Sequence, residues 1–391
     1  MYERRLVAQI KQRLGENRHF IQIISGPRQT GKTTAVNQAL QYIKAHQHFV
    51  SAEDPALLSR EWISNEWERA RALQKQTGKD TVLIIDEIQK IPQWSSAVKQ
   101  LWDEDSRRNV PLKVILTGSS SLLLQRGSEE SLTGRFEILY SPHWNFEECK
   151  EAFGYTLEDF LFFGGYPGAA ALKTEEERWA RYMGSSIVEP TISQDILQME
   201  EVRKPALLRS LFKLGAAYSA QELSYTKIMG QLQDAGNTVT LAHYLELLGK
   251  ANILCGLQKF SANKIKTSSP RFMVFDTSLM TYSDGSARKR LLENQNDKGR
   301  LVESAVGAYL LARSKEENFD VFWWRERNKE VDFILQKGKK ITAIEVKSGR
   351  IKNIGGSLEF KKLYPQAVSL IVGNANAQLE DFLSGKIPLF Y

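Results

Sequence analysis

Cysteine is nearly absent: the 391 residues include two, Cys149 and Cys255, far apart along the chain. Cysteines so placed form neither a disulfide framework nor the close pairs of a structural zinc site, so a reducing, cytoplasmic setting is expected. Long apolar runs are absent too. None approaches the roughly 18 residues that a membrane helix requires, so no membrane partner is expected. The opening MYERRLVAQIKQRLGENRHF lacks the apolar core and small-residue cleavage site of a secretory leader. Internal repeats and low-complexity tracts are missing. What is left is an ordinary globular composition, 42% hydrophobic and 25% charged. A chain of this length is expected to form two or three domains.

Charge is unevenly spread. The formal net charge is +7, and the segment from Ser286 onward holds 19 Lys/Arg against 13 Asp/Glu, a net +6. A basic segment suits a polyanion such as DNA, and it equally suits a solvated surface.

The stretch GPRQTGKTT begins at Gly26 and fits G-x-x-x-x-G-K-[ST] at every fixed position. FIQIIS before it reads as a buried strand, and a helix is expected over residues 32–45. Glycines at Gly26 and Gly31 let the backbone wrap around phosphate oxygens, and the helix start adds its dipole. Gly26, Pro27, Arg28, Gln29, Thr30, Gly31, Lys32, Thr33 and Thr34 are the expected ligands of ATP. Lys32 would reach the β- and γ-phosphates, and the Thr33 hydroxyl would complete the shell of Mg²⁺. TVLIIDEI, residues 81–88, is an apolar run ending in acids. Asp86 is placed to hold Mg²⁺ through water, and Glu87 to polarise an attacking water. LKVILTGSS, residues 112–120, offers Thr117 or Ser119 as a sensor of the γ-phosphate. Arg135 in SLTGRFE is the preferred cation for the leaving charge, with Arg28 and Arg126 as rivals. Strands alternating with helices predict a parallel α/β sheet with these clusters at the strands' carboxyl ends.

Beyond residue 147 the pattern changes. FLFFGGYPGAAAL reads as a sharp turn between helices. Residues 218–261 read as a winged helix, with Thr238 capping a helix that carries Leu241, Tyr244, Leu245 and Leu248 on one face. Its exposed candidates, Thr240, His243 and Lys250, are poor in base-reading Arg, so domain packing competes with DNA binding. Further on, KEVDFIL and KKITAIEVK form an expected hairpin about QKGKK. Asp332 would then face Glu345 across the ladder, with Lys347 on the same face as Glu345. Glu303 is expected on a helix packed against this sheet. Carboxylates converging beside a lysine suit a Mg²⁺-dependent phosphodiesterase, with Glu303, Asp332 and Glu345 as metal ligands and Lys347 as the catalytic cation. The competing readings are a cross-strand ion cluster and an inactive nuclease fold kept as a binding platform.

Taken together, GPRQTGKTT, LIIDEIQ, LTGSSS, LTGRFE, FGGYPGA, FMVFDTSLM, GRLVESAV, EVDFIL and IEVKSG resemble one family across nearly the whole chain. These are bacterial and archaeal AAA+-type ATPases ending in the domain DUF4143, whose fold is similar to the PD-(D/E)xK nucleases. The resemblance implies a P-loop ATPase domain over 1–147, a helical linker over 148–204, a winged helix over 205–285 and a nuclease-like domain over 286–391. It departs at QLQDAG, where relatives more often carry a different turn. The implied function is Mg²⁺-dependent ATP hydrolysis that drives or regulates a DNA-binding tail, with a possible homo-oligomer. The alternative is a regulatory NTPase switch whose tail is a protein-binding platform.

Overall fold

The computed structural model describes all residues except 1, 54–58, 119–131, 198–200, 233–235, 262–268, 348–354 and 374–376. The chain forms two compact units, Met1–Pro142 and His143–Tyr391. The three segments expected after residue 147 all lie within the second.

The first unit runs α1 (Arg5–Gly15), β1 (Ile21–Ser25), α2 (Lys32–Leu40), β2 (His46–Ser51), α3 (Arg60–Thr77), β3 (Thr81–Asp86), α4 (Trp94–Arg108), β4 (Lys113–Gly118) and β5 (Phe136–Tyr140). Its five strands pair in the order β2-β3-β4-β1-β5, all parallel. The expected α/β class and parallel sheet are therefore present. Side chains alternate across the strands. Ile23, Leu83, Ile85 and Leu116 face a core with Trp67, Trp94 and Trp102. Ile24, Val82, Ile84 and Ile115 face the opposite core with Leu6, Ile10 and Val36. Both faces are covered, which is why β1 and β3 read as continuous apolar runs. The helix expected to run to residue 45 ends at Leu40, because the chain must turn before β2 starts at His46.

The second unit opens on two short helices, Phe146–Phe153 and Leu157–Phe163. Asn145 with Glu148 and Thr156 with Asp159 form capping boxes that fix their starts. A longer helix beginning at Glu176 widens into π-turns over Met183–Val188 and Thr191–Ile196. Pro190 stands between them, unable to donate its share of the ladder. Helices Pro205–Ala217, Tyr225–Gln231 and Thr238–Lys250 follow, then an antiparallel ribbon of β6 (Leu254–Leu257) and β7 (Arg271–Val274). The cap of the third helix is Asn237, whose side chain accepts from Thr240 N at 2.8 Å; the expected cap, Thr238, is the first helical residue. Leu241, Tyr244, Leu245 and Leu248 are buried, as their spacing predicts. After the helix Gln295–Glu317 come β8 (Asp320–Glu326), β9 (Lys329–Lys337), β10 (Lys340–Val346) and β11 (Val368–Val372). Their order is β11-β10-β9-β8; β8, β9 and β10 are antiparallel, and β11 runs parallel to β10.

Two motifs meet at Asp276. Its carboxylate accepts from Gly165 N in FGGYPGA at 2.7 Å and from Ser278 N at 3.0 Å, capping the helix Thr277–Asp284. Burial pushes its pKa up to about 6, and these hydrogen bonds only partly oppose the shift. A carboxyl raised in the folded state stabilises most at low pH and loses that contribution as pH rises through the folded value. Relative to Asp276→Asn, the wild type should lose about 2 kcal/mol of stability between pH 4 and pH 7. Thermal melts of both proteins at those two pH values check this, and parallel pH trends would refute it.

Candidate functional site

The loop Gly26–Gly31 joins the end of β1 to the start of α2. Gly31 has φ +85°, a left-handed conformation that a side chain resists, and it places Lys32 as the first helical residue. At Gly26 the constraint is space: a Cβ there would lie 2.1 Å from Ser141 O, so only glycine fits against the end of β5. Gln29 also holds a positive φ, of 58°. Pro27, Thr30 and Lys32 are buried, Arg28 is half-buried, and Gln29 and Thr34 are exposed. The Lys32 ammonium donates to Pro27 O at 2.6 Å and Gly26 O at 3.1 Å, so it lies within the curve of its own loop.

Two strands and a helix deliver polar groups to this edge. Thr33 Oγ1 donates to Asp86 Oδ2 at 3.0 Å, and Thr117 Oγ1 donates to Asp86 Oδ1. The order β3-β4-β1 sets this up: β4 lies between the strand of Asp86 and the strand that feeds the loop. Glu87 follows Asp86 with φ 55°, and its carboxylate accepts from Gln89 Nε2 at 2.8 Å. A glutamate in this region of backbone space is strained, as residues at functional sites often are. Hydroxyl, carboxylate and ammonium thus converge beside a helix start. This donor set fits a magnesium-bound triphosphate: Lys32 and loop amides for phosphate, Thr33 and Asp86 for the metal.

One expected residue stands apart. Arg135 does not reach the loop of its own chain. Its backbone carbonyl accepts from Ile21 N at the opposite end of β1, and its guanidinium grips Asp103 at 2.6 and 3.0 Å. The length of β1, about 13 Å, separates the two ends. Ser119 and the rival Arg126 lie outside the described residues.

Sequence reading missed the brace behind the loop. Arg4, 5% exposed, donates from Nη1 to Thr30 O and to Ser141 Oγ, both at 3.2 Å. Thr30 Oγ1 in turn donates to Pro27 O at 3.1 Å. Ser141 N donates to Ser25 O at 2.7 Å and closes the β1–β5 ladder. No local pattern marks an arginine 22 positions before Gly26 as part of the loop's support.

In the second unit, Glu345 and Asp332 are cross-strand neighbours in the expected register, one step beyond the Ile344–Phe333 pair. Asp332 Oδ2 accepts from Val346 N at 2.7 Å. Glu345 accepts from Ser357 N at 2.7 Å and Ser357 Oγ at 2.6 Å, and its other oxygen pairs with Lys347 Nζ at 3.0 Å. Glu303 comes in from the helix Gln295–Glu317. The structure adds two residues that the sequence did not flag, Glu330 on β9 and Arg271 on β7. Arg271, 4% exposed, donates to Glu303, donates to Glu330 at 2.6 Å, and lies 3.8 Å from Asp332. Burial pushes Glu303 up to about 8; Arg271 opposes this, while Asp332 and Glu330 add to it. Among the described residues no three His, Cys, Asp or Glu side chains are grouped to hold a metal ion. Of the expected metal set, Glu303 and Asp332 lie around the Arg271 guanidinium and Glu345 is held by Lys347 and Ser357, so the donor set does not fit Mg²⁺.

An AAA domain matches residues 18–150, and the domain of unknown function DUF4143 matches residues 298–388. An AAA domain therefore opens this chain and a DUF4143 domain follows it. A second domain of unknown function, DUF8612, covers residues 154–289, a single stretch where sequence reading expected a linker and a winged helix. Similar proteins include an uncharacterized protein of Methanocaldococcus jannaschii, 25% identical over 81% of this chain and 72% of its own. Another, from Haemophilus influenzae, is 24% identical over 84% and 82%. Among solved structures, the ORC2 protein of Aeropyrum pernix aligns over 80% of this chain and 96% of its own, at 15% identity and TM-score 0.45. Among the described residues no helix is long and apolar enough to cross a membrane.

The brace of the AAA domain is open to test. Arg4→Ala removes two buried hydrogen bonds and should weaken ATP binding about 5- to 20-fold, equivalent to roughly 1–2 kcal/mol. Titration with a fluorescent ATP analogue measures it, and unchanged affinity would show that the loop holds its shape unaided.

Proposed function

We propose that this protein hydrolyses ATP with Mg²⁺ and uses the cycle to control its C-terminal tail. The observation that carries this reading is the meeting of Thr33, Asp86 and Thr117 beside the Gly26–Gly31 loop. Lys32 leaves its loop carbonyls for the β- and γ-phosphates, exchanging neutral acceptors for charged ones. Backbone amides of Arg28 to Thr33 and the positive end of α2 complete the cradle, and Thr34 lies one position further along that helix. Magnesium, held by Thr33 and Asp86, supplies neutralisation of phosphate charge. Glu87 takes the proton from the attacking water, and Gln89 holds its carboxylate in place. Thr117, near the end of β4, registers the loss of the γ-phosphate. Because Arg135 lies at the far end of β1, it serves a neighbouring copy's nucleotide, which makes the working form a homo-oligomer.

Two variants separate binding from chemistry. Lys32→Ala should abolish detectable ATP binding. Glu87→Gln should keep binding and lower kcat by about 10²- to 10⁴-fold. Hydrolysis at the parental rate in either variant would refute the assignment.

For the tail, the partner we infer is duplex or branched DNA, on the strength of the net +6 from Ser286 onward. Such binding is mainly electrostatic, so affinity for a labelled junction should fall linearly on a log–log plot against salt. No retardation of duplex or junction at low salt would remove DNA as the partner. A second reading, a nucleotide-operated switch with a protein-binding tail, is favoured by the enclosure of the tail's carboxylates by Arg271.

A further inference from the structure

The carboxylates of the tail look at first like a metal site that awaits its ion. Their partners say otherwise. Glu303, Glu330 and Asp332 all turn to one guanidinium, that of Arg271. Glu330 is held from its other side by Arg325, whose Nε donates at 2.9 Å. Glu345 is held by Lys347 and by Ser357, in the first turns of the helix Gly355–Leu363. Every carboxylate that a phosphodiesterase would offer to magnesium already has a protein donor.

A divalent ion entering here would meet a buried guanidinium already in contact with three of these acids.

Access is not what keeps an ion out. A polar cavity of about 490 Å³ opens beside the cluster, lined by Glu222, Lys227, Arg271, Arg325 and Glu330 among others. Nor can Arg271 swing away at small cost. It belongs to β7, which pairs with β6. Its Nε donates to Ala220 O at 3.2 Å, and its backbone bridges to Glu222. Freeing the guanidinium means leaving that hydrogen bond and three acids at once.

We propose that Arg271 is the resident cation of this cluster, standing where a nuclease of similar fold would hold Mg²⁺, so that the tail engages its partner without cutting phosphodiesters. The cluster then plays a structural part, pinning the β6–β7 ribbon to the four-stranded sheet. This inference does not depend on ATP hydrolysis in the first unit. The nucleotide cradle is the same in every variant used to test it.

The test uses the full chain without nucleotide. Supercoiled plasmid is incubated with Mg²⁺ or Mn²⁺ and either the wild type or Asp332→Asn. The Asn variant keeps an acceptor for Val346 N. Nicking should be equal in the two and no greater than in buffer. Metal-dependent nicking by the wild type that Asp332→Asn abolishes would overturn the proposal. Arg271→Met then removes the charge while keeping a long apolar stem. In this variant Mn²⁺ should raise Tm, and the double variant Arg271→Met, Asp332→Asn should lose that shift. The wild type should show none. A folded Arg271→Met protein indifferent to Mn²⁺ would overturn the claim that the guanidinium stands in the metal's place. If Arg271→Met does not fold, the plasmid comparison decides alone.

Discussion

One carboxylate organises the first unit. Asp86 ends β3 and accepts hydrogen bonds from Thr33 on α2 and Thr117 on β4. Three pieces of the fold, α2, β3 and β4, are thereby fixed relative to one another at the edge where the Gly26–Gly31 loop turns. The strand order makes this possible, because β4 is inserted between β3 and β1. Were β3 and β1 direct neighbours, Thr117 would have no place between Asp86 and the loop. The two apolar cores flanking the sheet serve the same end: they hold β1, β3 and β4 in register so that the polar tips coincide.

Much of this arrangement was legible in the sequence because it is local. Gly26, Gly31, Lys32 and Thr33 lie within eight consecutive residues, and each is demanded by backbone geometry or charge at that point. The runs TVLIID and KVILTG are apolar because both faces of the sheet are covered, so their strand character and polar ends could be read directly. The β9–β10 register was also legible: a short turn at Gly338 fixes which residues oppose, and Asp332 falls beside Glu345 as the spacing demands.

What could not be read is what arrives from far along the chain. Arg4 reaches Thr30 across 26 positions, and Arg271 reaches Glu303 and Glu330 across 32 and 59. No periodicity encodes such meetings. Arg271 sits before FMVF, in an apolar strand where a charge stands out, and that oddity was the available signal. It changes the chemistry of the cluster, since the same acids mean one thing beside a metal and another beside a guanidinium. Arg135 gives the converse lesson. Its position in the motif order suggested the cradle, but parallel strands have two ends, and the chain enters β5 at the wrong one. The DUF8612 match runs across both the expected linker and the expected winged helix, two segments that meet where Asp276 accepts from Gly165.

The π-turns on either side of Pro190 have a different consequence. A π-turn holds one residue more than an α-helical turn needs. The helix from Glu176 to Ile196 therefore carries slack in its own length, in the midst of buried side chains such as Met183, Ile187 and Ile192. A deletion of one residue there leaves an ordinary α-helical repeat rather than a broken helix. Most buried helices have no such allowance, so this is a place where the chain can lose a residue while the fold around it stays the same.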